Sequence, residues 1–127
     1  MAQSAGLHEP EDKLTPEVID RHRALVSIQE ELEAIDWYDQ RVAATADPEL
    51  ATVLAHNRDE EKEHAAMTLE WLRRHDPVLD RHLRTYLFTS APVTEIEAAA
   101  EAGGDGKSAE EGPEGSFAIG DLKGESL

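Results

Sequence analysis

Two side chains of types that bind metal ions stand three positions apart. Glu61 and His64 form the Glu-x-x-His pair of this chain, and residues three apart share one face of a helix, so both could bind one ion. A chain with 6 histidines and 18 glutamates would contain about one such pair by chance. The pair alone is therefore a weak indication of a metal site, and an ordinary pair of helical neighbours is the alternative.

The positions of these residues add weight to the metal-site interpretation. Glu61 and His64 interrupt an apolar stripe, and Glu31 interrupts a second stripe earlier in the chain. The two stripes are Ala24, Ile28, Glu31, Ile35, Tyr38, Val42 and Leu50, Leu54, Asn57, Glu61, His64, Thr68, Trp71. A carboxylate in an apolar stripe is costly unless it is paired or bound to metal. Spacing alone still leaves a metal site and the edge of a solvated face evenly balanced.

The elements that would position these residues are helices. Three helices are predicted at about Pro16–Ala44, Pro48–His75 and Pro77–Phe88, with no alternating pattern of the kind that indicates strands. Each begins with a capping side chain followed by proline, which needs no N–H at the first helical position. The pairs are Thr15-Pro16, Asp47-Pro48 and Asp76-Pro77. A link of only a few residues predicts that the first two helices form an antiparallel hairpin.

The number of ligands predicts half of a metal centre in each chain. A carboxylate di-iron bundle takes one glutamate from each of two helices and one Glu-x-x-His pair from each of two others. This chain has Glu31 on one long helix and Glu61 with His64 on the other. A two-fold dimer would complete both the four-helix bundle and the ligand set. Oxygen ligands with one imidazole per metal favour iron or manganese, and open positions would let dioxygen take electrons from a ferrous pair.

Composition limits the classes of function. The 127 residues suffice for one domain, and the net charge of −16 disfavours binding to nucleic acid or to acidic membranes. The chain has no cysteine, which excludes disulfides and thiolate metal sites. Its start is polar, and no apolar run is long enough to span a bilayer. We therefore expect a cytoplasmic protein that is not bound to a membrane.

The chain is predicted to have three parts. Residues 1–14 form a flexible N-terminus, residues 15–90 form the helical hairpin domain, and residues 91–127 form a disordered tail. The first part of the tail is rich in Ala, Gly and Glu and has little that could pack, which predicts a flexible tether. Apolar residues return in the segment 115–124, at Phe117, Ile119 and Leu122. Composition alone favours a frayed end, but a tethered peptide with apolar anchors is the alternative.

Two runs of sequence carry a resemblance to a known family. The runs EELEAIDWYDQR (30–41) and AHNRDEEKEHAA (55–66) closely resemble the encapsulated ferritins, short ferritin-like proteins packed as cargo inside encapsulin shells. The resemblance continues through TYLFT (85–89) at the end of the third helix. The tail segment 115–124 matches independently.

The resemblance implies a function and roles for particular residues. It implies a ferroxidase centre of Glu31, Glu61 and His64 between two subunits, where dioxygen oxidises iron(II) to iron(III) for iron storage and detoxification. It further implies an outer site, through which metal reaches the centre, with the residues Glu30 and Glu33 near Trp37, and it places Tyr38 beside the centre. The alternative is a non-enzymatic, acidic helical protein that binds metal or acts as an adaptor.

The resemblance also implies partners. Family members assemble as rings of five dimers, which predicts a homodecamer inside an encapsulin nanocompartment in the cytoplasm. The segment 115–124 looks like the family's encapsulin-targeting peptide, with Phe117, Ile119 and Leu122 as its apolar anchors. Asp121 departs from the serine that many such peptides have before this leucine, so the strength of docking stays open.

Overall fold

The part of the chain that the structure describes, residues 6–103 of a computed structural model, is helical and contains no strand. A 3-10 turn at Glu11–Lys13 is followed by four α-helices. They are α1 (Pro16–Ala44), α2 (Pro48–Arg74), α3 (Pro77–Tyr86) and α4 (Val93–Gly103). The all-α class predicted from the sequence is confirmed for these residues.

The capping pairs start the two long helices where the sequence predicts. The Thr15 hydroxyl accepts a hydrogen bond from the Val18 amide at 3.2 Å, and the Asp47 carboxylate accepts one from the Glu49 amide at 3.0 Å. Each cap satisfies an amide that has no partner within the helix, and each is followed by proline. The bounds of α1 agree with the prediction, and α2 ends one residue earlier than predicted.

Helices α1 and α2 form the predicted antiparallel hairpin. Only residues 45–47 join them, and the two helices contact each other along their lengths. Arg58 on α2 crosses to α1, where its Nη1 lies 2.9 Å from Oδ1 of Asp39. This ion pair helps to fix how far one helix can slide along the other.

The hairpin buries little apolar surface of its own. Among the described residues, Leu72 is the buried apolar side chain, at 2% exposure. Many other large apolar side chains of the hairpin are exposed, including Leu25, Leu32, Trp37, Leu50, Val53, Met67 and Trp71. Leu50 and Trp71 belong to the second apolar stripe, whereas the other five lie beside the stripes, so the hairpin has apolar surface that two helices cannot cover by themselves. Completion of a four-helix bundle by a second copy stays a prediction.

The described residues divide into two compact units at the junction between Asp76 and Pro77. The first contains the hairpin, and the second contains α3 and α4, which contact each other. Helix α3 ends at Tyr86 rather than at the predicted Phe88. The physical reason is the backbone of Phe88, whose φ of 62° lies in the left-handed region and cannot continue a right-handed helix.

The prediction of a flexible tether from residue 91 is wrong for residues 93–103, which form α4. The sequence there is rich in Ala and Glu, which are strong helix formers, and the Pro92 carbonyl accepts hydrogen bonds from the amides of Glu95 and Ile96. Ile96 is half-buried, so the helix also has an apolar contact surface. A 3-10 turn likewise stands within the N-terminal residues predicted to be flexible. The targeting segment 115–124 lies outside the described residues.

A search of the described helices for a membrane span finds none that is both long enough and apolar enough.

Candidate metal centre

Helix α2 brings Glu61 and His64 together as the sequence predicts. The Nδ1 atom of His64 lies 3.5 Å from Oε1 of Glu61, and the side chains are 48% and 28% exposed. One helical turn separates the two residues, so a rigid backbone holds a carboxylate and an imidazole on one face. A carboxylate oxygen and a neutral imidazole nitrogen at this separation can act as ligands of one metal ion.

Glu31 on α1 has a carboxylate oxygen with an unmet requirement. Its Oε1 is buried and has no hydrogen-bond partner, although the residue as a whole is only half-buried. A buried polar atom without a partner loses its hydration and gains nothing in return, which costs about 1–3 kcal/mol. A bound cation would meet this requirement, because a metal ion takes the place of the lost hydrogen bonds.

Two contacts show which levels of the antiparallel helices face each other. Asp39 of α1 pairs with Arg58 of α2, so these two residues face each other. Because the helices are antiparallel, Glu31, eight residues before Asp39, lies at the level of residue 66, eight residues after Arg58. Ala24 of α1 and Trp71 of α2 line one shallow groove and therefore also lie at one level. Glu31 is seven residues after Ala24, and His64 is seven residues before Trp71. Glu31 therefore lies within about one helical turn of His64 along the hairpin.

The three predicted ligands do not form a complete set within one chain. Among residues 6–103, no three Asp, Glu or His side chains come together closely enough to hold an ion. The structure thus brings Glu61 and His64 together and places Glu31 at nearly the same level of the hairpin. Their joint action as a di-iron centre needs further ligands, and it stays a prediction.

Glu60 is a neighbour of the candidate centre that the sequence analysis did not single out. Its carboxylate lies 4.0 Å from Nε2 of His64 and 3.8 Å from Nε2 of His56. The sequence indicates this contact, because His56, Glu60 and His64 follow one another at intervals of four residues and so share one face of the helix. His64 consequently has a carboxylate near each of its ring nitrogens.

The residues of the predicted outer site lie along α1. Glu30 is exposed and Glu33 is half-buried, one helical turn apart, and Trp37 is exposed one turn further on. Tyr38 is half-buried, and the guanidinium of Arg41 lies 5.2 Å from the centre of its ring. The described contacts do not join Glu30 and Glu33 into a defined binding site, so their role stays a prediction.

Helix α2 also carries ion pairs on both sides of the candidate centre along its length. Arg58 pairs with Asp59 at 3.0 Å as well as with Asp39, and its side chain is only 22% exposed. Its hydrogen bond lowers the pKa of Asp59, and the bonds to Asp59 and Asp39 raise the pKa of Arg58. Near the end of α2, hydrogen bonds from Arg73 and Arg74 lower the pKa of Glu70 from 4.5 to about 2.

The apolar anchors of the predicted targeting peptide, Phe117, Ile119 and Leu122, lie outside the described residues. Their role stays a prediction that rests on sequence.

Comparisons with known proteins agree with the fold. The profile of the family described as EncFtn-like matches residues 6–90. The encapsulated ferritin-like protein of Rhodospirillum rubrum is 62% identical, over 99% of this chain and 94% of that protein. The encapsulin nanocompartment cargo protein EncC of Myxococcus xanthus is 33% identical, over 77% of this chain and 80% of that protein. The crystal structure of protein ne0167 from Nitrosomonas europaea matches with a TM-score of 0.67 and 59% identity, over 69% of this chain and 97% of that chain.

Proposed function

The chain belongs to the family of encapsulated ferritin-like proteins, and on this premise we propose that it is a ferroxidase subunit. It oxidises iron(II), its substrate, to iron(III) with dioxygen at a centre shared by two copies. Each copy supplies Glu31, Glu61 and His64. The observation that carries the proposal is the buried, unpartnered oxygen of Glu31, which lies level with the Glu61–His64 pair.

The donor set suits iron chemically. Carboxylate oxygens and a single imidazole per metal are the ligands that iron and manganese accept, whereas the chain has no thiolate to offer. Two copies supply four carboxylates and two imidazoles, which is the ligand set of a carboxylate di-iron bundle. Negative carboxylates between two close cations reduce the repulsion between them. A ligand set divided between two copies is consistent with the absence of a group of three ligands within residues 6–103 of one chain.

The chemistry assigned to the centre is electron transfer from iron to dioxygen. Each iron(II) loses one electron, so two ions held side by side deliver two electrons to one dioxygen molecule. The residues of the chain hold the ions close together and leave positions open for dioxygen. Glu30 and Glu33 lead metal inward from the surface, near Trp37, and Tyr38 supports the centre from the same helix. The acidic hairpin surface raises the local concentration of cations.

The names of the relatives support a partner for this chain. One is described as encapsulated and another as encapsulin nanocompartment cargo. We assign the segment 115–124 as the peptide that binds an encapsulin shell, with Phe117, Ile119 and Leu122 as anchors, and the working assembly as a ring-shaped decamer. Deletion of residues 115–127 is expected to abolish copurification with a co-expressed shell. Retention of the deleted chain inside the shell would remove this assignment.

Oxidation kinetics test the proposed activity directly. Iron-free protein is loaded with ferrous iron without oxygen and then exposed to air, and the formation of ferric iron is followed by absorbance. The wild-type chain should form ferric iron faster than buffer does. Glu31→Ala, Glu61→Ala and His64→Ala should each reduce the rate towards that of buffer, because each removes a ligand from both halves of the centre.

A matched control separates ligand loss from loss of charge. Glu63 lies on α2 two residues from Glu61 and is exposed, so Glu63→Ala removes the same group from the same helix outside the proposed centre. This control should oxidise iron at the wild-type rate. If all three ligand variants also match the wild type, the chain is instead an acidic helical protein that binds metal or acts as an adaptor.

A further inference from the structure

Met67 is the most exposed of the large apolar side chains of α1 and α2, at 63% exposure. Within residues 6–103 it is also the one side chain that contains sulfur, since the chain has no cysteine. A thioether is polarizable and is oxidised far more easily than an aliphatic side chain such as leucine. The position therefore combines an oxidisable group with access to solvent.

Met67 stands three residues after His64, so the two side chains share one face of α2. Residues at this spacing have Cβ atoms about 5–6 Å apart. Long helical side chains lean towards the N-terminal end of their helix, which brings the thioether back over the turn that contains His64. The side chain of His64 is itself 48% exposed. A small molecule released beside the imidazole on its exposed side therefore meets the sulfur within one helical turn.

We propose that Met67 is a site of oxidation by hydrogen peroxide released at the candidate centre. This inference rests on the proposed function, because the peroxide is formed there: two iron(II) ions lose one electron each, and dioxygen takes both electrons with two protons. The sulfur of Met67 then attacks one peroxide oxygen. The O–O bond breaks, an S–O bond forms, and the other oxygen takes up the remaining proton and leaves as water. The sulfur loses two electrons, the peroxide gains them, and the methionine becomes its sulfoxide.

The aromatic side chains of the hairpin fit this reaction less well. Hydrogen peroxide oxidises a thioether directly, whereas indole and phenol rings react mainly with radicals. Trp71 is only 37% exposed, and its ring stacks on that of His75 with the ring centres 3.8 Å apart. The ring of Tyr38 lies under the guanidinium of Arg41. Met67 is therefore the side chain near the candidate centre that peroxide oxidises first.

The exposure of Met67 also suits a residue that is oxidised and restored. A sulfoxide is polar, and it disrupts a protein when it forms inside an apolar core. At position 67 the new oxygen stays in contact with water, so the hairpin keeps its packing. Reductases convert methionine sulfoxide back into methionine, so one side chain can consume peroxide repeatedly.

Competition between two methionines of one chain tests the proposal. Leu50→Met conserves volume and adds a thioether to the same helix, at a 44% exposed position about three turns from Glu61. Hydrogen peroxide added to the iron-free, full-length variant gives the intrinsic ratio of sulfoxide at positions 67 and 50, measured by mass spectrometry of a digest. The variant is then loaded with iron(II) and exposed to air with catalase, which removes peroxide from solution. Turnover should raise the ratio several-fold in favour of Met67.

Two further variants locate the source and the sink of the peroxide. Glu61→Ala removes a proposed ligand and should return the ratio to its intrinsic value when it is combined with Leu50→Met. Met67→Leu should form ferric iron at the wild-type rate and, without catalase, release more peroxide into solution, by up to about one molecule per chain. Equal peroxide release by this variant and the wild type would show that Met67 consumes none.

The formation of ferric iron, recorded in the same samples, separates this inference from the proposed function. A ratio that turnover leaves unchanged, while ferric iron forms faster than in buffer, would overturn the oxidation site and leave the ferroxidase standing. Ferric iron that forms no faster than in buffer would overturn the proposed function, and the oxidation site with it.

Discussion

The α1–α2 hairpin carries 13 acids and 7 bases, whereas α3 carries two arginines and one aspartate. In the hairpin, the unmet requirement is polar, since a carboxylate oxygen of Glu31 is buried without a partner. In the unit of α3 and α4 the unmet requirement is apolar, since Phe88 is exposed in a strained backbone. The two units therefore leave different requirements unmet: a bound cation would satisfy the oxygen of Glu31, and burial would satisfy the ring of Phe88.

This difference between the two units predicts that disruption of helix α4 leaves the rate of iron oxidation by the hairpin unchanged. Ala99→Pro removes a helical hydrogen bond in the middle of α4 and should cost about 3 kcal/mol of helix stability. Far-UV circular dichroism should lose the signal of α4, while iron oxidation stays at the wild-type rate.

Val93→Pro is the matched control, because Val93 is the first residue of α4, where proline is tolerated since the amide has no partner within the helix. This variant should keep the helical signal. If Ala99→Pro slows oxidation, the two units are not separable in function.

The next largest expected effect is on the affinity for iron(II), when a contact between α1 and α2 is removed. Arg58→Ala removes the ion pair with Asp39, which joins α2 to α1 about two helical turns from the level of Glu31 and His64. Residues that orient ligands from a distance affect metal affinity, so we expect apparent iron(II) affinity to fall about tenfold, with Arg58→Lys restoring part of it. Calorimetric titration with iron(II) under anaerobic conditions measures this.

Arg23→Ala is the control for Arg58, since the ion pair of Arg23 is with Asp20 in the same helix. Its affinity for iron(II) should equal that of the wild type. Equal losses for both variants would indicate a general effect of charge, and the register argument would be wrong.

The buried oxygen of Glu31 predicts a conflict between stability and function. Glu31→Leu replaces the unpartnered carboxylate by an apolar group of similar size and should stabilise the iron-free chain by about 1 kcal/mol. Chemical denaturation at low protein concentration measures the change. Glu63→Leu, at an exposed position on α2, should give no such gain. A loss of stability in Glu31→Leu would contradict the account of that oxygen.

The smallest expected effect concerns the end of α2, away from the centre. The folded-state pKa of Glu70 is lowered from 4.5 to about 2, so its pairing with Arg73 and Arg74 stabilises the fold above pH 4.5 and is lost as the pH falls towards 2. Its side chain is 42% exposed, and solvent screening limits the contribution to about 0.5 kcal/mol.

Glu70→Gln should be less stable than wild type at pH 7, and the difference should vanish between pH 4.5 and 2. Thermal unfolding at several pH values measures it, with Glu63→Gln as the control. A difference that persists at pH 2 would assign the effect to something other than the ion pairs.

The long helices were predictable because local chemistry determines where they start. Thr15 and Asp47 cap α1 and α2 with their own side chains, and a short link leaves no alternative to a hairpin. Low hydrophobicity predicts a tether where α4 stands, and it does not take account of the helix propensity of Ala and Glu, which favours the helix. The sequence predicts a later end for α3 because it does not reveal that Phe88 adopts a glycine-like backbone.

The candidate centre was predictable only in part. The Glu61–His64 pair follows from helical spacing, and Glu31 from an interruption in an apolar stripe. The level of Glu31 against His64 follows from how the two helices pack, which the contact between Arg58 and Asp39 marks and which spacing along one helix does not specify. In the proposed centre the second half of the ligand set comes from another copy, which no property of a single chain can display.

The central claim is that two copies share one centre, and the rate of oxidation per chain as a function of protein concentration tests it most directly. Stopped-flow mixing with ferrous iron and dioxygen is combined with sedimentation velocity across the range in which the chain passes from monomer to dimer. The account predicts that the rate per chain rises in proportion to the fraction of dimer and approaches that of buffer for the monomer. A rate per chain that stays constant across this range would show that one copy suffices and would contradict the shared centre.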